Sequence, residues 1–124
     1  MEIKLYRCKH CGNIAIKVLD KGVPMVCCGE KMEEIIPASV DASVEKHVPV
    51  VSVDGTRVTV DIGSVAHPMT EEHLIRFVIL DTTAGVQIAE LAAGDLPQAV
   101  FEILPGAEVK KAYAYCNLHG LWVN

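Results

Sequence analysis

No apolar run in this 124-residue sequence approaches the roughly 18 residues of a membrane-spanning helix. Phe77-Val78-Ile79-Leu80 is typical of its apolar stretches. The segment Met1-Glu2-Ile3-Lys4 lacks the apolar region of a secretion signal, so the expectation is a soluble, cytoplasmic protein with no membrane partner. Clusters of basic residues are also missing. Lys and Arg number 11 against 16 Asp and Glu, and the formal charge of −5 argues against a nucleic-acid binder, whose phosphate contacts need grouped cations. Helical periodicity is absent as well; Glu71-Glu72 after Thr70 offers one helical turn at most. Cysteine number is odd, at five, so complete internal pairing is impossible, and a reducing compartment would keep the thiols free.

What is present is grouped. Four cysteines fall in residues 8–28 and the fifth is Cys116. Cys8-Lys9-His10-Cys11-Gly12 is a metal knuckle: two thiolates two residues apart can reach one ion, and the glycine lets the backbone turn beneath the sulfurs. Cys27-Cys28-Gly29 has no spacer, and adjacent cysteines share a tetrahedral ion only if the turn is relieved, here by Gly29. Ile14 to Leu19 reads as a strand, Asp20-Lys21-Gly22 as a turn, and Val23 to Val26 as the return. The expectation is a small hairpin closed by metal, because some forty residues cannot hold a core unaided. A Cys8/Cys11/Cys27/Cys28 set suits zinc or a single iron, and the ligand set alone does not separate them. His10 reads as a solvated loop histidine. A short strand, Glu34-Ile35-Ile36, stops at Pro37 and places the domain boundary there, giving 1–37 and 38–124.

The remaining residues predict an all-β domain with turn signals every 8–12 positions. Strands are expected at Val48–Val53, Arg57–Ile62, His73–Asp81, Val86–Leu91, Ala99–Leu104 and Glu108–Tyr115, with Asp54-Gly55, Ala84-Gly85 and Pro105-Gly106 as turns. Val58, Val60 and Ile62 share one face of their strand, and the same alternation sets Ile75, Phe77 and Ile79 on one face of the next. The pattern is that of an immunoglobulin-like antiparallel sandwich. Around it, His47, His67, His73, Cys116 and His119 all fall at strand ends or in loops, where ligands on a rigid scaffold converge.

Four stretches carry a resemblance: Glu45-Lys46-His47-Val48-Pro49, Gly63-Ser64-Val65-Ala66-His67-Pro68-Met69, His73, and Cys116-Asn117-Leu118-His119-Gly120-Leu121-Trp122. Together they resemble the signatures of superoxide reductases. The N-terminal cysteine unit is similar to that of the two-iron class, desulfoferrodoxin, and the likeness runs in order through essentially the whole chain.

The resemblance implies two irons per chain: Fe(Cys)4 on Cys8, Cys11, Cys27 and Cys28 in a desulforedoxin-like unit, and Fe(His)4(Cys) on His47, His67, His73, His119 and Cys116. It implies one-electron reduction of superoxide to hydrogen peroxide without dioxygen release, a rubredoxin-like electron donor, and a homodimer. It implies catalytic roles for Glu45, as a ligand of the oxidised iron, and for Lys46, in drawing in superoxide and helping proton delivery. Five protein donors exceed zinc's tetrahedron and leave an octahedral ion one open position. Two other readings compete. One is a two-iron electron carrier without catalysis, which would gain nothing from an open position. The other is a zinc-stapled sandwich that serves as an interaction module and would be indifferent to loss of Cys116. Trp122 is read as packing against the site.

Overall fold

The computed structural model describes residues 2–40 and 47–124. The chain divides into two compact units, Met1–Ile36 and Pro37–Asn124. Among the described residues there is no helix, and so none long and apolar enough to cross a membrane.

The first unit holds five short strands. β1 (Leu5–Arg7) lies between β2 (Ile14–Ile16) and β5 (Glu33–Ile35), antiparallel to both, while β3 (Val26–Cys27) and β4 (Glu30–Lys31) form a separate hairpin. The hairpin expected between 14–19 and 23–26 does not form. β2 pairs instead with β1, because the Cys8–Asn13 knuckle is itself the tight connection: Cys8 N–H donates to the Asn13 carbonyl and Gly12 N–H to the Cys8 carbonyl, each at 2.9 Å. The 17–23 segment is shaped by polar contacts. Lys17 Nζ donates to the Val23 carbonyl at 2.9 Å, and Asp20 Oδ1 accepts from Gly22 N–H at 2.8 Å. Only Ile3, Leu5 and Cys8 are buried in this unit among the described residues, so its apolar core is minimal.

The second unit is a sandwich of two antiparallel sheets. One has the order β10-β7-β6, from β6 (Pro49–Asp54), β7 (Arg57–Ile62) and β10 (Gln98–Glu102). The other has the order β12-β11-β8-β9, from β8 (Ile75–Thr82), β9 (Gly85–Glu90), β11 (Val109–Cys116) and β12 (Gly120–Val123). Between them pack Val58, Val60 and Ile62 of β7, Phe101 of β10, Ile75, Val78 and Leu80 of β8, and Ala112, Ala114 and Cys116 of β11. The small Ala112 and Ala114 of β11 share this core with larger residues of β7, β8 and β10.

Two differences from the sequence reading matter for the site. Pairing of β8 with β11 slips between Tyr115↔Phe77 and Cys116↔Ile75, leaving Arg76 as an extra residue. This bulge puts Ile75 on the face of Val78 and Leu80 rather than with Phe77 and Ile79. Phe77 stacks on Tyr115 on the opposite face, ring centroids 5.3 Å apart. β12 was not expected. The left-handed Gly120 (φ +83°) sends the chain back along β11 directly after His119.

Candidate metal centres

In the first unit the four cysteines converge. Their sulfurs lie within 4.8 Å of one another, with Cys11 Sγ 3.6 Å from Cys27 Sγ and Cys27 Sγ 4.0 Å from Cys28 Sγ. None of the five cysteines is in a disulfide. Four sulfurs at about 2.3 Å from a tetrahedral ion would be about 3.8 Å apart, which these spacings bracket. The adjacent pair reaches one centre because Cys28 and Gly29 are the two central residues of the β3–β4 turn, both left-handed (φ +52° and +75°). That is the primed turn of a two-residue hairpin. It turns the backbone between the two cysteines, whose side chains would point to opposite faces in a continued strand.

Backbone amides favour the charged form of one sulfur. Chiefly the Cys11 N–H, with that of His10, lowers Cys8 to about 6 against the opposing effect of burial. Its neighbours move the other way: Cys27 is raised, first by Cys11, and Cys28 is pushed up to about 12 by Cys11, Cys8 and Cys27 in turn. Four crowded thiols cannot all ionise without a cation among them. Asn13, which the sequence did not single out, donates from its backbone to Cys11 Sγ at 3.5 Å and from Nδ2 to Cys27 Sγ at 3.7 Å. His10 stands outside this group, half-exposed and 3.2 Å from Glu30 Oε2.

The second unit brings His47, His67, His73, Cys116 and His119 together, with one donor atom from each within 4.8 Å of all the others. His47 precedes β6, His67 and His73 lie between β7 and β8, Cys116 ends β11, and His119 sits in the β11–β12 turn. Successive imidazoles form a closed ring. His47–His67, His67–His73, His73–His119 and His119–His47 have centroid separations of 4.8, 4.6, 5.1 and 4.9 Å and interplanar angles of 63°, 82°, 74° and 71°. His47 Nε2 faces His119 Nδ1 at 3.2 Å, and Cys116 Sγ lies 3.7 Å from the same Nδ1. Neighbouring nitrogens about 2.1 Å from an octahedral ion would be about 3.0 Å apart, so the donor set fits a single ion.

Supporting contacts fix the rings. His67 Nδ1 lies 2.7 Å from the Pro68 carbonyl, which can only accept, so Nδ1 carries the proton and Nε2 keeps its lone pair for a metal. Nε2 of His67, Nε2 of His73 and Nδ1 of His47 are all sealed from solvent. Trp122 packs flat on His47, centroids 4.6 Å apart at 14°, and donates Nε1–H to the His119 carbonyl at 3.2 Å. Asn117 is the second residue that sequence reasoning missed. It bonds to the backbone on both sides of His73. A carboxamide next to a cysteine carries no pattern that would single it out. Glu45 and Lys46, expected to be catalytic, lie outside the described residues.

Fold and site define an all-β metalloprotein of two units, one carrying a four-cysteine donor group and the other a group of four histidines and one cysteine. The family model described as desulfoferrodoxin matches residues 39–124, and that of the desulfoferrodoxin N-terminal domain matches residues 1–35. The chain belongs to the desulfoferrodoxin family. It is 42% identical over 122 residues to desulfoferrodoxin from Syntrophotalea carbinolica, covering 98% of this chain and 94% of that one. Identity and coverage are the same for desulfoferrodoxin from Nitratidesulfovibrio vulgaris. The crystal structure of the superoxide reductase from Treponema pallidum superposes with a TM-score of 0.87 at 36% identity, over 99% of this chain and 98% of that chain. The two donor groups are consistent with a two-iron desulfoferrodoxin.

Proposed function

We propose that this chain is a superoxide reductase, an oxidoreductase that converts superoxide to hydrogen peroxide with one electron and two protons and releases no dioxygen. The observation that carries this reading is the closed ring of four imidazoles with the buried sulfur of Cys116 beside it. A structural zinc site has no use for five such donors. His47, His67, His73, His119 and Cys116 would hold the iron, which would supply the electron, as zinc cannot.

The chain's own residues would then divide the work. Four neutral imidazoles and one thiolate would leave a ferrous ion held there with a formal charge near +1, which would attract an anionic radical. The Pro68 carbonyl and the Trp122 ring hold His67 and His47 in fixed orientations, so that little reorganisation accompanies a change of iron charge. Lys46 would draw superoxide in and help deliver protons, and Glu45 would ligate the oxidised iron. Residues 1–37 form the Fe(Cys)4 unit and 38–124 the catalytic unit. A rubredoxin-like protein supplies electrons, and the setting is the cytoplasm. The molecule is a homodimer, a reading supported by Val18, Leu19, Val23, Val26 and Ile36, all exposed on a small unit.

The test is a superoxide pulse delivered to the reduced protein, with the visible spectrum, peroxide and dioxygen followed together. The expected result is superoxide loss above the spontaneous rate, a new thiolate-to-iron absorption band and no dioxygen. Decay at the spontaneous rate, or dioxygen release in the proportion of a dismutation, overturns the reading.

A further inference from the structure

Asn117 follows one candidate ligand, Cys116, and precedes another, His119, by two positions. Its carboxamide closes on the backbone around a third. Leu74 N–H donates to Asn117 Oδ1 at 3.0 Å, and Asn117 Nδ2 donates to the Glu72 carbonyl at 2.9 Å. The Asn117 N–H adds a bond to the Leu74 carbonyl at 3.2 Å. Three hydrogen bonds thus connect the residue after Cys116 to both neighbours of His73, across a sequence separation of 43 to 45.

The position is where the β8–β11 ladder runs out. Its last pair is Cys116↔Ile75, beyond a bulge that already disturbs the register. A carboxamide offers a donor and an acceptor on one planar frame, as a peptide group does. Past the final rung a single backbone bond, Asn117 N–H to the Leu74 carbonyl, continues the pairing, and the Asn117 carboxamide adds two side-chain bonds that extend it to Glu72. The His73 loop has a turn of its own, in which Thr70 N–H donates to the His73 carbonyl at 2.9 Å and His73 N–H to Thr70 Oγ1 at 3.1 Å. That turn shapes the loop internally, whereas Asn117 ties it to the strand that carries Cys116.

We propose that Asn117 is a positioning residue, which sets His73 against Cys116 and so fixes the geometry of the histidine–cysteine centre. The role rests on the metal occupancy proposed above and not on superoxide chemistry. A parental protein that binds metal there but ignores superoxide would overturn the proposed function and leave this test intact. Asn117→Ala removes the donor and the acceptor together. Asn117→Asp keeps the size and the acceptor for Leu74 N–H but places a carboxylate oxygen against the Glu72 carbonyl.

The experiment compares the iron-loaded parent with both variants in two respects: the thiolate-to-iron absorption band of the histidine–cysteine centre, and the rate at which each centre loses iron to a chelator. The four-cysteine centre of the same molecule is the internal control. The expected result is a displaced band in both variants, with iron lost from the histidine–cysteine centre about 10- to 100-fold faster in Asn117→Ala. Asn117→Asp should lie between that variant and the parent, and loss from the four-cysteine centre should not change. A band and loss rate equal to the parent's overturn the role. So does parallel loss from both centres, which would mark a general weakening of the fold. If Asn117→Ala fails to fold, the isosteric Asn117→Asp decides alone: a displaced band upholds the role, and an unmoved one ends it.

Discussion

The two donor groups solve one problem by opposite means. The four-cysteine group draws its ligands from two tight turns, within the span from Cys8 to Cys28, in a unit where only Ile3, Leu5 and Cys8 are buried among the described residues. The histidine–cysteine group gathers side chains as far apart as His47 and His119 at one end of a sandwich whose core is complete without the imidazoles. In the first case an ion would close the fold. In the second the fold presents the ligands, and an ion there would be free to serve chemistry. The burial of Cys116 belongs to both tasks, since it caps the apolar row Ala112–Ala114 and offers its sulfur to the donor group.

The sharpest way to break this contrast is to strip the metal. Structural thiolate sites contribute on the order of 10 kcal/mol to folding, more than so small a unit can replace. Chelation should therefore abolish amide-exchange protection in β1 and β2 while β7, β8 and β11 stay protected; protection surviving in β1 would refute it. Reloading should depend on pH in a definite direction. At neutral pH, Cys8, lowered to about 6, is already largely thiolate, but Cys27 is raised and Cys28 is pushed up to about 12. Metal uptake must expel the protons of those two thiols, so affinity should fall as pH falls, and fall further once Cys8 protonates below about 6. A pH-stat trace showing no proton release would contradict this ordering.

A smaller effect comes from the other side. Leu80→Ala empties a fully buried position between the sheets and should cost roughly 2–5 kcal/mol. Denaturant unfolding would measure it, and the spectrum of the four-cysteine centre should be unaltered at denaturant concentrations below the transition. The smallest effect is a matched pair of glycines. Gly29 follows Cys28 at φ +75° and Gly120 follows His119 at φ +83°, and a Cβ at either would meet nothing within 4 Å. Alanine at each should cost about 1 kcal/mol through backbone strain alone. Gly29→Ala should hasten iron loss from the four-cysteine centre, and Gly120→Ala should not. Equal effects on that centre would erase the distinction.

Much of this was legible in the residues. Cys-x-x-Cys-Gly and Cys-Cys-Gly announced the first donor group, and alternation in Val58-Thr59-Val60-Asp61-Ile62 announced a half-buried strand. The five ligands of the second group sat where strands were expected to end. What escaped had physical causes. A bulge at Arg76 is a relation between two strands and leaves no mark in either alone, so Phe77 and Ile79 fall on the face away from Ile75. The true partner of β2 is β1 because backbone bonds close the knuckle, and those bonds carry no side-chain signature. β12 is only four residues long and sits inside a stretch that reads as a ligand motif. Asn13 and Asn117 act through amides that occur in any loop.

One feature of the second site makes it observable from outside. Trp122 is the only tryptophan in the chain, and its ring lies flat on a candidate ligand, His47. All indole emission therefore originates one stacking distance from the histidine–cysteine donors. A paramagnetic ion at that range quenches fluorescence efficiently, so the natural emission of the protein is a label-free gauge of occupancy at this centre.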